Sequence, residues 1–120
     1  SVKAGTHTTH DLEIITDDTP RIKIQATGKI EIGLENDSIT TFKGKVGIGV
    51  NNPDVSLAVG GVLKVQNKKF EVGTELPTTG IYSKGDIIWN QNPTPTGYVG
   101  WVCVRDGTPG EWKPFGTIGA

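Results

Sequence analysis

The sequence predicts an all-β chain without helices, with a repetitive extended part over residues 1–72 and a small antiparallel β tip over residues 73–120. Three observations carry this expectation. Glycine or proline interrupts almost every window long enough to nucleate a helix. Short alternating runs such as Arg21-Ile22-Lys23-Ile24-Gln25 recur between turn-forming clusters. Hydrophobic residues make up only 34% of the chain while glycines number 17, so the usual apolar share is reached only by counting glycine. Such a chain buries little by itself. Association of several copies lets a subunit interface take the place of a core.

Residues 1–10 are polar and lack apolar periodicity, as an extended connection would be. The chain contains no Met, and Ser1 is expected to be a cut inside a longer protein. Residues 11–16 alternate as a short strand, and Asp17-Asp18-Thr19-Pro20 ends it with turn chemistry. The strand at 21–25 sets Ile22 and Ile24 on one face, with Arg21, Lys23 and Gln25 on the other. A repeat follows: Gly28-Lys29-Ile30 is matched by Gly44-Lys45-Val46 and, more loosely, by Gly60-Gly61-Val62, each 16 residues on. That period suits a strand–turn unit that winds along an axis and is too small to be stable alone. Winding of several chains would bury Ile30, Ile32, Val46, Ile48, Val62 and Val65 against their copies.

Phe70 and Val72 continue an alternating strand, and Leu76-Pro77-Thr78-Thr79-Gly80 then breaks it, which places the boundary of the two parts near Gly73. Three strands are expected in the tip, at 85–90, 98–104 and 111–118, as an antiparallel meander with one Trp on each. Asp106-Gly107 and Pro109-Gly110 supply the reversal before the last strand.

Lys84-Gly85-Asp86-Ile87-Ile88-Trp89-Asn90, Gly100-Trp101-Val102-Cys103-Val104, Gly107-Thr108-Pro109-Gly110 and Trp112-Lys113-Pro114-Phe115-Gly116 follow one another in this tip. Together they resemble the C-terminal module of many bacteriophage tail fibres and tailspikes, over residues 73–118. Upstream, Thr16-Asp17-Asp18-Thr19-Pro20-Arg21-Ile22 and Val46-Gly47-Ile48-Gly49-Val50-Asn51-Asn52-Pro53 resemble elements of fibre shafts, with Val50 where Thr is usual. Related shafts occur in bacterial trimeric surface fibres. The resemblance implies an intertwined homotrimeric β shaft and a non-enzymatic tip on a virion or, alternatively, a bacterial surface. It implies attachment to host polysaccharide or lipopolysaccharide, or else a tip that only locks the trimer.

Composition narrows the alternatives. A net charge of −1 and a pI near 6.1 argue against nucleic acid, whose phosphates select basic patches. No apolar run approaches the ~20 residues of a membrane span, and no cofactor motif is present, Gly47-Ile48-Gly49 lacking the Lys-Ser/Thr of a phosphate loop. His7 and His10 offer metal ligands only if copies meet on an axis, so no metal is expected. Asp17, Asp18 and Asp37 sit in turn sequences, where capping explains them. Cys103, mid-strand and far from either His, reads as a small hydrophobe.

The aromatic residues remain. Tyr82, Trp89, Tyr98, Trp101, Trp112 and Phe115 all fall in the last forty residues. Trp89, Tyr98, Trp101 and Trp112, with Asn90, Asn92 and Arg105, are the candidate glycan-binding residues. The same rings also suit the core of a tip with few aliphatics, and both readings stand. Alternation sets Trp101 beside Val99 and Cys103, opposite Val102 and Val104. The valines suit an interior better, so Trp101 is expected to be the least buried tryptophan.

The repeat makes a prediction of its own. Ile32→Asp and Ile48→Asp should abolish or severely weaken assembly, because each buries an unpaired charge near the axis. Lys29→Asp and Lys45→Asp, at the opposite phase, should be tolerated. Native mass spectrometry of the four variants checks this, and equal behaviour in all four would show the inward face to be misassigned.

Overall fold

The computed structural model describes residues 5, 9–34 and 37–120. The described residues contain ten short strands and no helix, in two compact units, Ser1–Lys43 and Gly44–Ala120. The all-β class follows directly.

The first unit holds a three-stranded antiparallel sheet of β1 (Leu12–Thr16), β2 (Thr19–Ile24) and β3 (Ile30–Ile32), in that order. Its alternation sorts the faces. Ile14, Ile22 and Ile32 lie opposite one another in one row, and Glu13, Lys23 and Glu31 in the next, so opposite charges alternate across the strands. Lys23 also reaches Asp11 at 3.0 Å, and this contact, with the Ala26 N–H, holds the Asp11 carboxyl below its ordinary value. The β1–β2 loop is Asp17 and Asp18, both at φ 52°. A two-residue hairpin loop needs that left-handed backbone at both positions, and Asp tolerates it better than most residues.

The second unit opens with β4 (Val46–Ile48) and β5 (Leu57–Val59), paired in parallel through an unusually short connection. The connection folds back on Gly47, where a Cβ would lie 2.1 Å from the Val50 carbonyl oxygen. Only glycine fits there. Next come β6 (Leu63–Val65), β7 (Lys68–Gly73), β8 (Ile87–Asn90), β9 (Tyr98–Arg105) and β10 (Glu111–Thr117), forming one sheet in the order β10-β9-β8-β7-β6. The 16-residue repeat therefore starts a three-residue strand each time, at Ile30, Val46 and Leu63, but the strands pair differently: β3 and β6 antiparallel, β4 parallel.

Strands β8, β9 and β10 form the antiparallel meander, with Trp89, Trp101 and Trp112 on successive strands. The sheet does not stop at Gly73. Gly73 ends β7 and pairs with Asn90, and β6 and β7 extend the meander to five strands. Compactness divides the chain at Lys43 and Gly44 rather than near Gly73. The reason lies in the β7–β8 connection. These strands are parallel, so residues 74–86 must cross one face of the sheet to return.

The crossover is anchored at Asp86, which is 1% exposed. Its Oδ1 accepts the Lys69 N–H of β7 and its Oδ2 accepts the Ser83 N–H, both at 2.8 Å. Its backbone carbonyl accepts the Cys103 N–H of β9 at 2.9 Å. Further along, Tyr82 and Gly107 exchange a pair of backbone hydrogen bonds, and the Lys84 N–H donates to Asp106 at 2.6 Å. Under this strap lies the buried core of Ile88, Cys103 and Trp112, with Tyr82 and Trp101 packed against it.

Asp86→Ala leaves two buried backbone N–H groups without acceptors, so it should cost about 2–5 kcal/mol of unfolding free energy. Asp86→Asn keeps one acceptor and should lose roughly half as much. Denaturant titration of the two variants tests the anchor, and an Asp86→Ala chain as stable as the parent would dismiss it.

Candidate functional site

The connection between β8 and β9, residues 91–97, is shaped by one side chain. Asn90 Oδ1 accepts the Asn92 N–H at 3.0 Å, while Asn90 Nδ2 donates to the Tyr98 carbonyl at 3.1 Å. The amide thus spans the loop from its start to its end. Within it the Gly97 N–H donates to Thr94, and the Ile118 N–H donates back to Gly97, at 3.0 and 2.9 Å. The C-terminal segment after β10 is fastened to the loop in this way.

Between the loop and the sheet runs a groove of about 450 Å³, walled by Trp89, Asn90 and Val99 on the sheet and by Pro93, Thr94, Pro95 and Ile118 outside it. That volume lies within the usual range of small-ligand sites, ~300–1,000 Å³. Trp89 is 45% exposed and meets Phe115 edge-on, with centroids 5.9 Å apart at 75°. Gly100 makes this possible by lying between them in the ladder, where a Cβ would sit 3.1 Å from the Phe115 ring and 2.4 Å from the Ile88 carbonyl oxygen. The groove offers a ligand flat apolar surface from an indole and two proline rings, with amide and hydroxyl groups at its margin.

The structure brings together four of the seven candidate residues: Trp89, Asn90, Asn92 and Tyr98, which is also 45% exposed. The other three lie elsewhere. Trp112 is 9% exposed, donates its indole N–H to the Pro109 carbonyl at 2.9 Å and receives Tyr82 edge-on at 5.1 Å. Arg105 ends β9 at the far side, roughly 23 Å from Tyr98 at strand rise, and pairs with Glu111 at 2.6 Å.

Trp101 corrects the expectation made for it. Trp101 packs against the core, and Trp89 is the most exposed tryptophan. The covered side of β9 is the Val99–Trp101–Cys103 side, and Val104, at 36%, faces outward. Space explains the reversal. The tight 107–110 turn closes over Cys103, where a Cβ on Gly110 would stand 3.2 Å from the sulfur. A small side chain fits under that turn and a valine pair does not. Cys103, 1% exposed, is core, and its thiol donates to the Arg105 carbonyl at 3.2 Å. Burial and then the hydrogen bond to Glu71 push the Tyr82 phenol above its ordinary value.

Sequence reasoning passed over Asp86 and the proline walls of the groove. The Asn92-Pro93-Thr94-Pro95-Thr96-Gly97 run signalled a loop, and rigid proline rings beside an exposed indole were the available hint. Of the two histidines, His7 lies outside the described residues. Among the described residues no group of three or more His, Cys, Asp and Glu side chains is placed to hold a metal ion. Comparison with protein-family models, with curated proteins and with solved structures finds no match to this chain.

The division of the tryptophans is measurable. Trp112→Ala should cost about 3–5 kcal/mol of stability, as truncation of a core aromatic does, and Trp89→Ala less than half of that. Melting curves of the two variants decide it, and the reverse order would move the candidate groove from Trp89 to Trp112.

Proposed function

We propose that this chain is the C-terminal part of a homotrimeric bacteriophage tail fibre or tailspike, which attaches the particle to polysaccharide or lipopolysaccharide on a host surface. The observation that carries the assembly is the smallness of the core. Only Ile88, Cys103 and Trp112 count as buried hydrophobics among the described residues, while Ile30, Ile32, Ile48, Val62 and Val65 of the repeat are each about half exposed. Side chains of that kind need partners, and copies of the same chain supply them. The fibre assignment rests on the motif resemblance of the tip and the shaft-like segments.

Recognition is assigned to the Trp89 groove. Sugar rings present apolar faces and hydroxyl edges, which the indole and proline walls and the amide margin of this groove complement. A second reading also has an observation in its favour. Trp101 and Trp112 serve the core, so the tip is furnished first to hold itself together and its role is then to lock the trimer for a function carried upstream. A trimeric surface fibre of a bacterium is a third owner of the same architecture.

A surface-glycan array, run on chain whose trimeric state has been checked by light scattering, separates these readings. Recognition by the groove predicts binding to a defined set of polysaccharides, weakened by ~1–3 kcal/mol in Trp89→Ala with the trimer intact. An intact trimer that binds no glycan leaves the locking role. A folded, monomeric 12.8 kDa chain would overturn the assembly.

A further inference from the structure

We propose that the Trp89 groove takes a neutral sugar by an edge that bears a methyl group, at a 6-deoxy or an acetylated position, in place of a hydroxyl. This deepens the glycan reading above and rests on it. Charge sets the first limit. None of the residues that wall the groove carries a charge. A carboxylate or phosphate on the ligand loses its water against these walls and gains no counter-ion. A uronic acid or a phosphorylated sugar is therefore a poor occupant, and a neutral one suits the groove.

Hydrogen-bonding capacity sets the second. Only Trp89, Asn90 and Thr94 bring polar side-chain groups to the wall. The Asn90 amide is already half engaged, Oδ1 accepting the Asn92 N–H and Nδ2 donating to the Tyr98 carbonyl. One N–H and one acceptor position are left on it. Pro93 and Pro95 have no N–H to offer. The Thr94 carbonyl accepts the Gly97 N–H, the Pro95 carbonyl accepts the Thr96 hydroxyl, and the Thr96 N–H is turned to the Ile118 and Gly119 carbonyls. The side chains thus leave a ligand an indole N–H, a half-used amide and one hydroxyl.

A fully hydroxylated hexose carries hydroxyls around its whole rim. Any edge it presses on this wall strips water from groups that the wall cannot pair. That penalty disappears when the inward edge ends in a methyl group, whether on a 6-deoxy carbon or on an acetyl. The methyl then meets the Val99, Ile118 and proline surface, while the exposed indole of Trp89 covers an apolar face of the ring. An acetyl also brings a carbonyl, which the spare Asn90 N–H can meet. The remaining hydroxyls keep to the water side of the groove.

Saturation-transfer NMR titrations of the full chain with methyl glycosides in matched pairs test this. L-fucose against L-galactose isolates the 6-deoxy carbon, N-acetylglucosamine against glucose the acetyl group, and glucuronic acid against glucose the charge. At least one methyl-bearing sugar should bind about tenfold more tightly than its hydroxylated partner, and which one does so tells deoxy from acetyl. Glucuronic acid should bind more weakly than glucose, and Trp89→Ala should abolish the preference. Should Trp89→Ala fail to fold, Ile118→Asn, which adds an amide to the wall, should shrink the preference instead. Equal binding within both methyl pairs, a preference for glucuronic acid, or a preference that these variants leave untouched overturns the inference while the glycan reading survives. No binding of any of these sugars, together with an empty glycan array, overturns both.

Discussion

Asp86 is nearly inaccessible, yet both of its carboxyl oxygens and its backbone carbonyl are engaged, with Lys69, Ser83 and Cys103. These contacts hold β7, the end of the crossover and β9 at fixed spacing. Burial cannot do the same work, because the crossover carries a proline, three threonines and two glycines where a helix with an apolar face usually lies. Polar contacts to backbone replace it. Once the strap is held, Tyr82 is delivered to the edge of the Trp112 ring and Cys103 closes under the 107–110 turn. The core is small because what covers it is a loop.

A strap on one face leaves the other bare, and this asymmetry organises the rest of the unit. Tryptophans on the strapped side become structure, as Trp101 and Trp112 do; Trp89 on the open side stays available. Trp89 borders two grooves, one toward the 91–97 loop and one toward the Val59–Val62 segment.

How much of this was legible depends on what each residue had to say locally. The three tip strands and their order were, since β-branched and aromatic runs between Gly/Pro turns leave few choices. The Asp17-Asp18 reversal was legible for the same reason, turn chemistry being a property of the residues in the turn. Which side of β9 faces inward was not. Alternation gives two faces but not the identity of the inner one, and a cysteine beside an indole looks less like a core than a pair of valines does. The answer lay in the crossover, sequence-distant and almost featureless. Nor did the period of 16 reveal that its strands pair differently, because the short runs lack enough apolar residues to specify a register.

The two ends of the five-stranded sheet bear on whether further strands can add to it. β10 is an edge strand, and Pro114 in its middle has no N–H to offer an incoming strand. Glu111, Lys113 and the Arg105–Glu111 pair add charge beside it. The other edge, β6, is three residues long with Lys64 at its centre. Neither edge is a good template for strand addition, the route by which exposed β-sheets grow into fibrils.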